Sequence, residues 1–87
     1  MPIVTLRYWA AAKDAAGVAD EKVEAMTLAE ALVEALVAAG RAADRLRPVL
    51  VRSSFLINGA PAGLRPPESI MLSDDAVIEV LPPFAGG

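Results

Sequence analysis

Residues 27–40 read TLAEALVEALVAAG, and they contain the clearest helix pattern in the chain. Leu28, Leu32 and Leu36 recur every four residues, which is the spacing of one face of an α-helix. Gly40 follows as a residue type that commonly ends helices. The pattern predicts an amphipathic helix whose apolar side packs on a sheet. The smaller apolar residues predicted beside these leucines are Ala29, Val33 and Ala39.

The start of this helix carries a capping box. Thr27 and Glu30, three residues apart, are expected to satisfy free backbone amides in the first turn. Glu30 and Glu34 are also spaced to share one helix face, where two carboxylates could bind a cation or transfer protons. A solvated helix surface is the commoner role of such a pair. Asp74 and Asp75 could bind Mg²⁺, but adjacent acids of this kind are typical of a turn.

Strands are predicted on the N-terminal side of the helix. Residues 3–9 are rich in β-branched and aromatic side chains, and their alternation predicts a first strand with one apolar face. The residues on that face are Val4, Leu6 and Tyr8. Trp9 could contact a partner, although half-buried packing is commoner for a single tryptophan. Residues 10–16 predict a short helical turn ended by Gly17, and residues 22–26 predict a weaker second strand.

The C-terminal half is predicted to consist mainly of strands and turns. Residues 41–47 form a charged connection, partly helical, that Pro48 breaks because proline lacks an amide hydrogen and its ring clashes with the preceding turn. Asn58 and Gly59 predict a tight turn, and a proline-rich loop follows it because proline resists sheet pairing. The prolines of this loop are Pro61, Pro66 and Pro67. Further strands are predicted at residues 55–57, 70–72 and 76–81.

The order of these elements decides the fold class. Two strands, a helix and several strands do not give the regular alternation of a doubly wound parallel sheet, so the sequence predicts the α+β class. We expect one mixed sheet of four to five strands with one main helix packed across it. Residues 1–81 are predicted to form the folded domain, and residues 82–87 to form an extended C-terminal tail.

The composition excludes several classes of function. The 87 residues include no cysteine and no histidine, and 8 basic against 11 acidic side chains give a net charge of −3. Thiol nucleophiles, thiolate metal sites and histidine-dependent catalysis are therefore excluded. The negative charge argues against nucleic acid or an anionic membrane as partner, and no apolar run is long enough to span a bilayer. We expect a cytoplasmic protein with protein partners and with no bound metal or cofactor.

The last seven residues, LPPFAGG, form an unusual terminus. Pro82 and Pro83 are expected to stop the last strand and hold the chain extended, and Phe84 offers an apolar anchor. Gly86 and Gly87 have no Cβ atoms, so they could pass a narrow channel and bring the terminal carboxylate to the catalytic groups of a partner. A carboxylate is a poor electrophile at neutral pH, so chemistry there requires activation, most simply as an acyl-adenylate. The activated acyl group can accept sulfur or an amine.

Taken together, these motifs resemble the MoaD family, the small sulfur-carrying subunit of molybdopterin synthase. The resemblance runs nearly from end to end and is most specific at Pro82 to Gly87. Its other parts are residues 4–13 with Gly17, the Thr27-capped helix, residues 55–59 and residues 77–81. The family's usual Asp-Gly-Asp turn stands here as Ser73-Asp74-Asp75, and residues 41–52 match no family motif. The resemblance implies the ubiquitin-like β-grasp fold that MoaD shares with ThiS and ubiquitin.

The resemblance also implies a function centred on Gly87. A MoeB-type adenylyltransferase would use ATP to convert the Gly87 carboxylate to an acyl-adenylate, and a sulfur donor protein would then give a thiocarboxylate. Phe84, Ala85, Gly86 and Gly87 would enter a pocket of the MoaE-type large subunit, where the thiocarboxylate passes sulfur to cyclic pyranopterin monophosphate. Two small and two large subunits would form a heterotetramer. The isolated chain would then not be an enzyme, and its terminus rather than a cysteine would carry the sulfur.

Other functions fit the same terminus. A sulfur carrier for thiazole synthesis, as in ThiS, or for cysteine synthesis would use the same glycine chemistry with different partners. From another class, a ubiquitin-like modifier would be joined to lysines through Gly87, and a β-grasp interaction module would use the tail only as a binding peptide. The sequence leaves open the sulfur donor, service to other sulfur pathways, the oligomeric state of the isolated chain and the role of residues 41–52.

Overall fold

The computed structural model describes residues 1–83, in which five strands form one mixed sheet and three α-helices pack on one face of it. The strands are β1 (Ile3–Tyr8), β2 (Asp20–Glu24), β3 (Ser54–Ile57), β4 (Ala60–Pro61) and β5 (Val77–Leu81). The helices are α1 (Ala10–Ala16), α2 (Leu28–Ala39) and α3 (Ala43–Arg52), and 3₁₀ turns lie at Gly40–Ala42 and Pro67–Ser69. The predicted α+β class and mixed sheet are confirmed.

The strand order in the sheet is β2-β1-β5-β3-β4. β5 lies at the centre, parallel to β1 and antiparallel to β3, while β2 and β4 form the two edges. The last strand in the sequence is therefore held on both sides by strands from earlier parts of the chain. This pairing places the end of β5 beside the end of β1 and the start of β3.

The core lies between the sheet and the helices. Alternation along β1 and β5 turns every second side chain toward the helices, and Val4, Leu6 and Val80 on that side are fully buried. The predicted apolar face of β1 is therefore confirmed. The helical residues buried against these strands are Ala12, Ala15, Leu28, Ala31, Ala35, Leu46 and Leu50.

The predicted cap of α2 is confirmed. The Thr27 hydroxyl accepts a hydrogen bond from the Glu30 amide at 3.1 Å, and the Glu30 carboxylate accepts one from the Met26 amide at 2.8 Å. Because the Met26 amide serves the cap, β2 ends at Glu24, two residues before its predicted end. Gly40 ends the helix with a φ of 57°, a conformation that glycine adopts without strain.

The buried face of α2 differs from the predicted one. Ala31 and Ala35 are fully buried, whereas Leu32 and Leu36 are half-buried. Val33, which was expected beside the leucines, is 58% exposed. Leu28 is buried as predicted. Small side chains let a helix approach its neighbours closely, so Ala31 and Ala35 take the position against the sheet, while Leu32 and Leu36 pack against the edge of the core.

The segment predicted as a connection broken by Pro48 is instead a helix of 10 residues, α3, that contains Pro48. The prediction was wrong because it weighed only the local cost of proline. Leu46 and Leu50 lie one turn apart on either side of Pro48, and both are buried. Burial of two leucines contributes about 3–6 kcal/mol, which offsets the roughly 3 kcal/mol that proline costs inside a helix.

Pro48→Ala is expected to stabilise the protein by about 1–2 kcal/mol. Alanine restores an amide that can donate to the Asp44 carbonyl and removes the ring clash, while part of the gain is lost because proline also restricts the unfolded chain. Urea unfolding followed by circular dichroism measures the change. Val51→Ala, at an exposed position of α3, is the control. An unchanged or lower stability of Pro48→Ala would contradict this expectation.

Two predicted features of the C-terminal half also differ from the structure. Ala60–Pro61 forms the short edge strand β4 instead of entering the loop directly, because an edge strand tolerates the missing amide of proline. Residues 70–72 do not form a strand. Met71 makes an isolated bridge with Thr27, so this segment pairs with the start of α2 rather than with the sheet.

The predicted turn at Asn58 and Gly59 is confirmed. The two residues have φ values of 51° and 84°, the positive values that a tight hairpin turn requires. The Asn58 side chain accepts a hydrogen bond from the Val77 amide, and the Asn58 amide donates one to the Val77 carbonyl, both at 2.9 Å. These bonds fix the register between β3 and the first residue of β5.

Candidate functional site

The candidate site begins where β5 leaves the centre of the sheet. On one side of β5, the Trp9 amide donates a hydrogen bond to the Val80 carbonyl at 3.2 Å. On the other side, Ser54 pairs with Leu81, the last residue of β5. The chain therefore leaves the sheet between the start of α1 and the junction of α3 with β3.

The residues predicted to carry the chemistry come directly after this exit. Pro82 is buried and Pro83 is exposed, and the end of β5 before them is confirmed. The predicted site residues Phe84, Ala85, Gly86 and Gly87 lie outside the described residues. Their roles, and the division between a domain and a tail, stay predictions. The attachment point of the tail is thus the part of the predicted site that the structure describes.

The sheet face opposite the helices lies next to this exit. Strand pairing places Glu79 between Arg7 on β1 and Leu56 on β3, and the indole nitrogen of Trp9 donates to the Glu79 carboxylate at 3.2 Å. We define the open sheet face as Arg7, Leu56, Val77, Glu79 and Leu81. Four of these residues are half-buried and Arg7 is exposed. This face is therefore a mixed apolar and charged surface that leads into the tail.

The contact between Trp9 and Glu79 was missed by sequence reasoning. The two residues are 70 positions apart, and the parallel pairing of β1 with β5 brings them together. The sequence pattern places Trp9 at the end of the first strand, but only the pairing of β1 with β5 shows that Glu79 lies beside it. Trp9 is 46% exposed, so part of its ring stays open to a partner.

Tyr8, one residue before Trp9, is buried on the helix side of β1. Its hydroxyl donates a hydrogen bond to the Glu21 carboxylate of β2. Burial first, and then this hydrogen bond and the charge of Glu21, raise the pKa of Tyr8 far above its usual value. The Tyr8 hydroxyl therefore stays protonated at physiological pH, and it ties β1 to β2 rather than serving as a base.

Tyr8→Phe is expected to lower stability by about 1 kcal/mol at neutral pH, because the bond to Glu21 is lost. Since the pKa of Tyr8 is raised in the folded state, the unfolded chain ionises first, and the stabilisation by Tyr8 falls as the pH rises beyond about 10. The stability difference between wild type and variant should therefore shrink in alkali. Urea unfolding from about pH 7 to 11 measures it. A difference that stays constant over this range would contradict the assignment.

Three of the four acidic side chains considered from the sequence, Glu30, Asp74 and Asp75, have structural roles. Asp74 accepts a hydrogen bond from the Ile3 amide at 3.0 Å, and Asp75 has the positive φ of a turn residue, 66°. Glu30 is occupied by the α2 cap. Within residues 1–83, acidic side chains do not gather into a group of three or more that could hold a metal ion. In the same part of the chain, no helix is both long and apolar enough to cross a membrane.

The fold is similar to those of several solved structures. Small archaeal modifier protein 1 from Methanosarcina acetivorans has a TM-score of 0.82 and 21% identity, over 100% of this chain and 98% of its own. A Pyrococcus furiosus protein assigned as molybdopterin converting factor subunit 1 has a TM-score of 0.73 and 18% identity, over 97% and 100%. A chain in the complex of subunits 1 and 2 of molybdopterin-converting factor from Helicobacter pylori 26695 has a TM-score of 0.63 and 26% identity, over 98% and 99%.

No family model matches the sequence, and no curated protein matches it. The structural similarity establishes the fold: the chain has the ubiquitin-like β-grasp fold. This fold is the one that the resemblance in the sequence implied. The similar structures include both modifiers and subunits of molybdopterin-converting factor, so either function is a proposal for this chain.

Proposed function

We propose that this chain is a sulfur carrier in molybdopterin biosynthesis and that Gly87 carries the sulfur. Adenylation of the Gly87 carboxylate by ATP releases pyrophosphate and gives an acyl-adenylate. Sulfur delivered by a donor protein at the oxidation level of sulfide then displaces AMP, and the product is a C-terminal thiocarboxylate. When this sulfur passes to cyclic pyranopterin monophosphate, water supplies the oxygen that regenerates the carboxylate. Two such transfers supply both sulfur atoms of the dithiolene that later binds molybdenum.

The exit of the chain from the centre of the sheet is the observation that carries this proposal. β5 is held on both sides, so a partner that grips the domain also fixes the point from which the tail starts. Gly86 and Gly87 have no Cβ atoms and can enter a channel that other residues would block. A folded domain that ends in two glycines suits a carrier whose terminal carboxylate is modified in the active sites of other proteins.

The division of labour between carrier and partners follows from the composition. The chain has no cysteine or histidine, and Tyr8 is held protonated, so in this proposal thiol and imidazole groups are supplied by the partners. A MoeB-type adenylyltransferase would bind and use the ATP, and a MoaE-type large subunit would bind the pterin. The carrier itself would bind no cofactor. In this proposal it works in the cytoplasm, as the small subunit of a heterotetramer with two large subunits.

The open sheet face is the proposed contact with the large subunit. Val77 and Leu81 lie on β5 itself, and both are half-buried; Leu81 is the residue directly before the tail. A partner that covers the open sheet face would also be placed to bind the tail that follows Leu81. The Helicobacter pylori structure, a complex of subunits 1 and 2 of molybdopterin-converting factor, supports a large subunit as the partner.

The intact mass of the purified chain tests the proposal. Incubation with a MoeB-type adenylyltransferase, ATP and sulfide should raise the mass by about 16 Da, the replacement of one oxygen by sulfur, and fragmentation should place the change at Gly87. Addition of the large subunit with cyclic pyranopterin monophosphate should then remove it. If the mass change forms but persists, a different sulfur pathway is indicated. If no change forms, the carrier function is wrong.

A ubiquitin-like modifier is the second candidate function. Small archaeal modifier protein 1 from Methanosarcina acetivorans, with a TM-score of 0.82, favours it. The same acyl-adenylate would then react with a lysine amine instead of sulfur and release AMP as an isopeptide bond forms. Peptides that carry the Gly87 remnant on lysines of other proteins, found by mass spectrometry, would support this function. Their absence under conditions that yield the thiocarboxylate would oppose it.

A further inference from the structure

The helix α3 and the turn before it carry an unusual concentration of positive charge. Residues 41–52 contain four of the eight basic side chains of the chain and one acid, Asp44. This segment has a net charge of +3 in a chain whose net charge is −3. The four basic residues are Arg41, Arg45, Arg47 and Arg52, and all are exposed. The segment is therefore a local excess of positive charge on a chain whose net charge is negative.

The arginines of α3 point away from the core. Leu46 and Leu50 bury the inner side of the helix, while Arg45 and Arg52 are seven residues apart, which places them two turns or about 10 Å apart on one outer side. Arg47 lies on the flank and contacts Asp44 at 3.4 Å. Both partners of this pair are largely exposed, so it contributes little to stability. The arginine side of α3 is thus available to another molecule.

An apolar groove runs between α2 and α3 and reaches one of these arginines, Arg47. Its walls include the half-buried Leu36 and Phe55 and the 80% exposed Val51, and Arg47 lies at its rim. Val33 adds a further exposed apolar side chain from α2. An apolar groove next to cations fits a protein that offers apolar and carboxylate side chains together. A nucleic acid would use the cations but not the groove.

The arginine side of α3 is continuous with the exit of the tail. Arg52 is the last residue of α3, and Ser54, two residues later, pairs with Leu81 at the end of β5. A protein that handles the tail therefore approaches α3. It also meets the surface whose charge is opposite to that of the rest of the chain.

We propose that the α3 arginines and the adjacent groove form the docking surface for an acidic patch on the enzyme that adenylates Gly87. This inference rests on the proposed carrier function and adds the surface that the activating enzyme recognises. Attraction between complementary patches orients two proteins as they meet and raises the rate of association. The open sheet face lies on the opposite side of the domain, so the two partners of the carrier use different surfaces and the same tail.

Pyrophosphate exchange catalysed by a MoeB-type adenylyltransferase tests this inference. Arg45→Gln/Arg52→Gln is expected to raise the KM for the carrier about tenfold with little change in kcat, because the arginines act on association and not on the reacting carboxylate. Val51→Glu should raise the KM similarly by placing a charge in the groove. Lys22→Gln, which removes one positive charge on the edge strand β2, is the control for Arg52→Gln alone and should keep the KM within about twofold of wild type. Added salt should raise the KM of the wild-type carrier by a larger factor than the KM of the Arg45→Gln/Arg52→Gln variant.

Each outcome of this experiment decides the inference. An unchanged KM for the arginine variant would overturn it, and so would equal rises for Arg52→Gln and Lys22→Gln, since that would reflect net charge alone. If the arginine variant instead loses binding to a single-stranded RNA while exchange is unaffected, α3 serves nucleic acid and the inference is wrong. Failure of the wild-type chain to support any exchange would overturn the carrier function together with this docking surface. The melting temperature of each variant should match wild type, since all substituted side chains are exposed.

Discussion

Deletion of Gly87 is expected to abolish thiocarboxylate formation and sulfur transfer while the melting temperature stays within a few degrees of wild type. The carboxylate of Gly86 would then end the chain one residue too early, about 3.5 Å short of its proper reach. An enzyme that aligns reacting atoms loses most of its rate when they are misplaced by far less. The buried core lies within the described residues, before the tail, so folding is not affected.

Addition of an alanine after Gly87 should have the same effect for the opposite reason, since the carboxylate then lies beyond the catalytic groups and next to a Cβ atom. The control is an alanine inserted between Met1 and Pro2, which adds the same mass at the exposed N-terminal end and leaves the tail unchanged. Intact mass after treatment with activating enzyme, ATP and sulfide measures the first step, and molybdopterin formation measures the second. If the chain without Gly87 still delivered sulfur, the proposed carrier mechanism would be wrong.

Leu46→Ala is expected to have the largest effect on stability, a loss of about 3 kcal/mol. Leu46 is fully buried, and its side chain packs α3 against the core. This contact offsets part of the destabilisation that Pro48 causes in the same helix. Domains of this size have a total stability of about 5–10 kcal/mol, so the variant should remain folded at low temperature. Its melting temperature should fall by roughly 15 °C.

Val51→Ala is the matched control for this substitution, since it removes apolar atoms from the same helix at an 80% exposed position. Its stability should change by less than about 0.5 kcal/mol. Thermal and urea unfolding of the three proteins give the comparison. If Leu46→Ala and Val51→Ala have equal stabilities, α3 is not anchored through Leu46, and burial of this leucine does not offset the cost of Pro48 in the helix.

Features that depend on nearby residues could be predicted from the sequence. The cap formed by Thr27 and Glu30 and the turn at Asn58 and Gly59 are decided within four residues, because each rests on one backbone geometry and one or two hydrogen bonds. The buried face of β1 follows from alternation alone. The end of β5 follows from the two prolines after Leu81. These elements agree in sequence and structure because no distant contact competes with their local preferences.

The helix α3 and the buried face of α2 could not be read locally. Pro48 opposes a helix, yet Leu46 and Leu50 are buried against the rest of the core, and that gain is invisible in a ten-residue window. On α2, the pattern predicts Leu28, Leu32 and Leu36 as the contact with the sheet, whereas Leu28 shares the buried face with Ala31 and Ala35. Which side chains are buried depends on how closely the helix approaches the sheet, and this distance cannot be read from the sequence.

For the candidate site, the sequence by itself determined the chemistry that is possible. The absence of cysteine and histidine is a property of the chain whatever its fold; it excludes thiol and imidazole chemistry, and the glycine pair at residues 86 and 87 suggests the carboxylate at which the reaction is proposed. Only the tertiary structure decided where that terminus starts and what surrounds its attachment. Parallel pairing of the first and last strands joins Trp9 to Glu79, and the start of β3 brings the α3 arginines beside the exit. Such neighbours are fixed by contacts between residues far apart in sequence, which form only when the whole sheet is assembled.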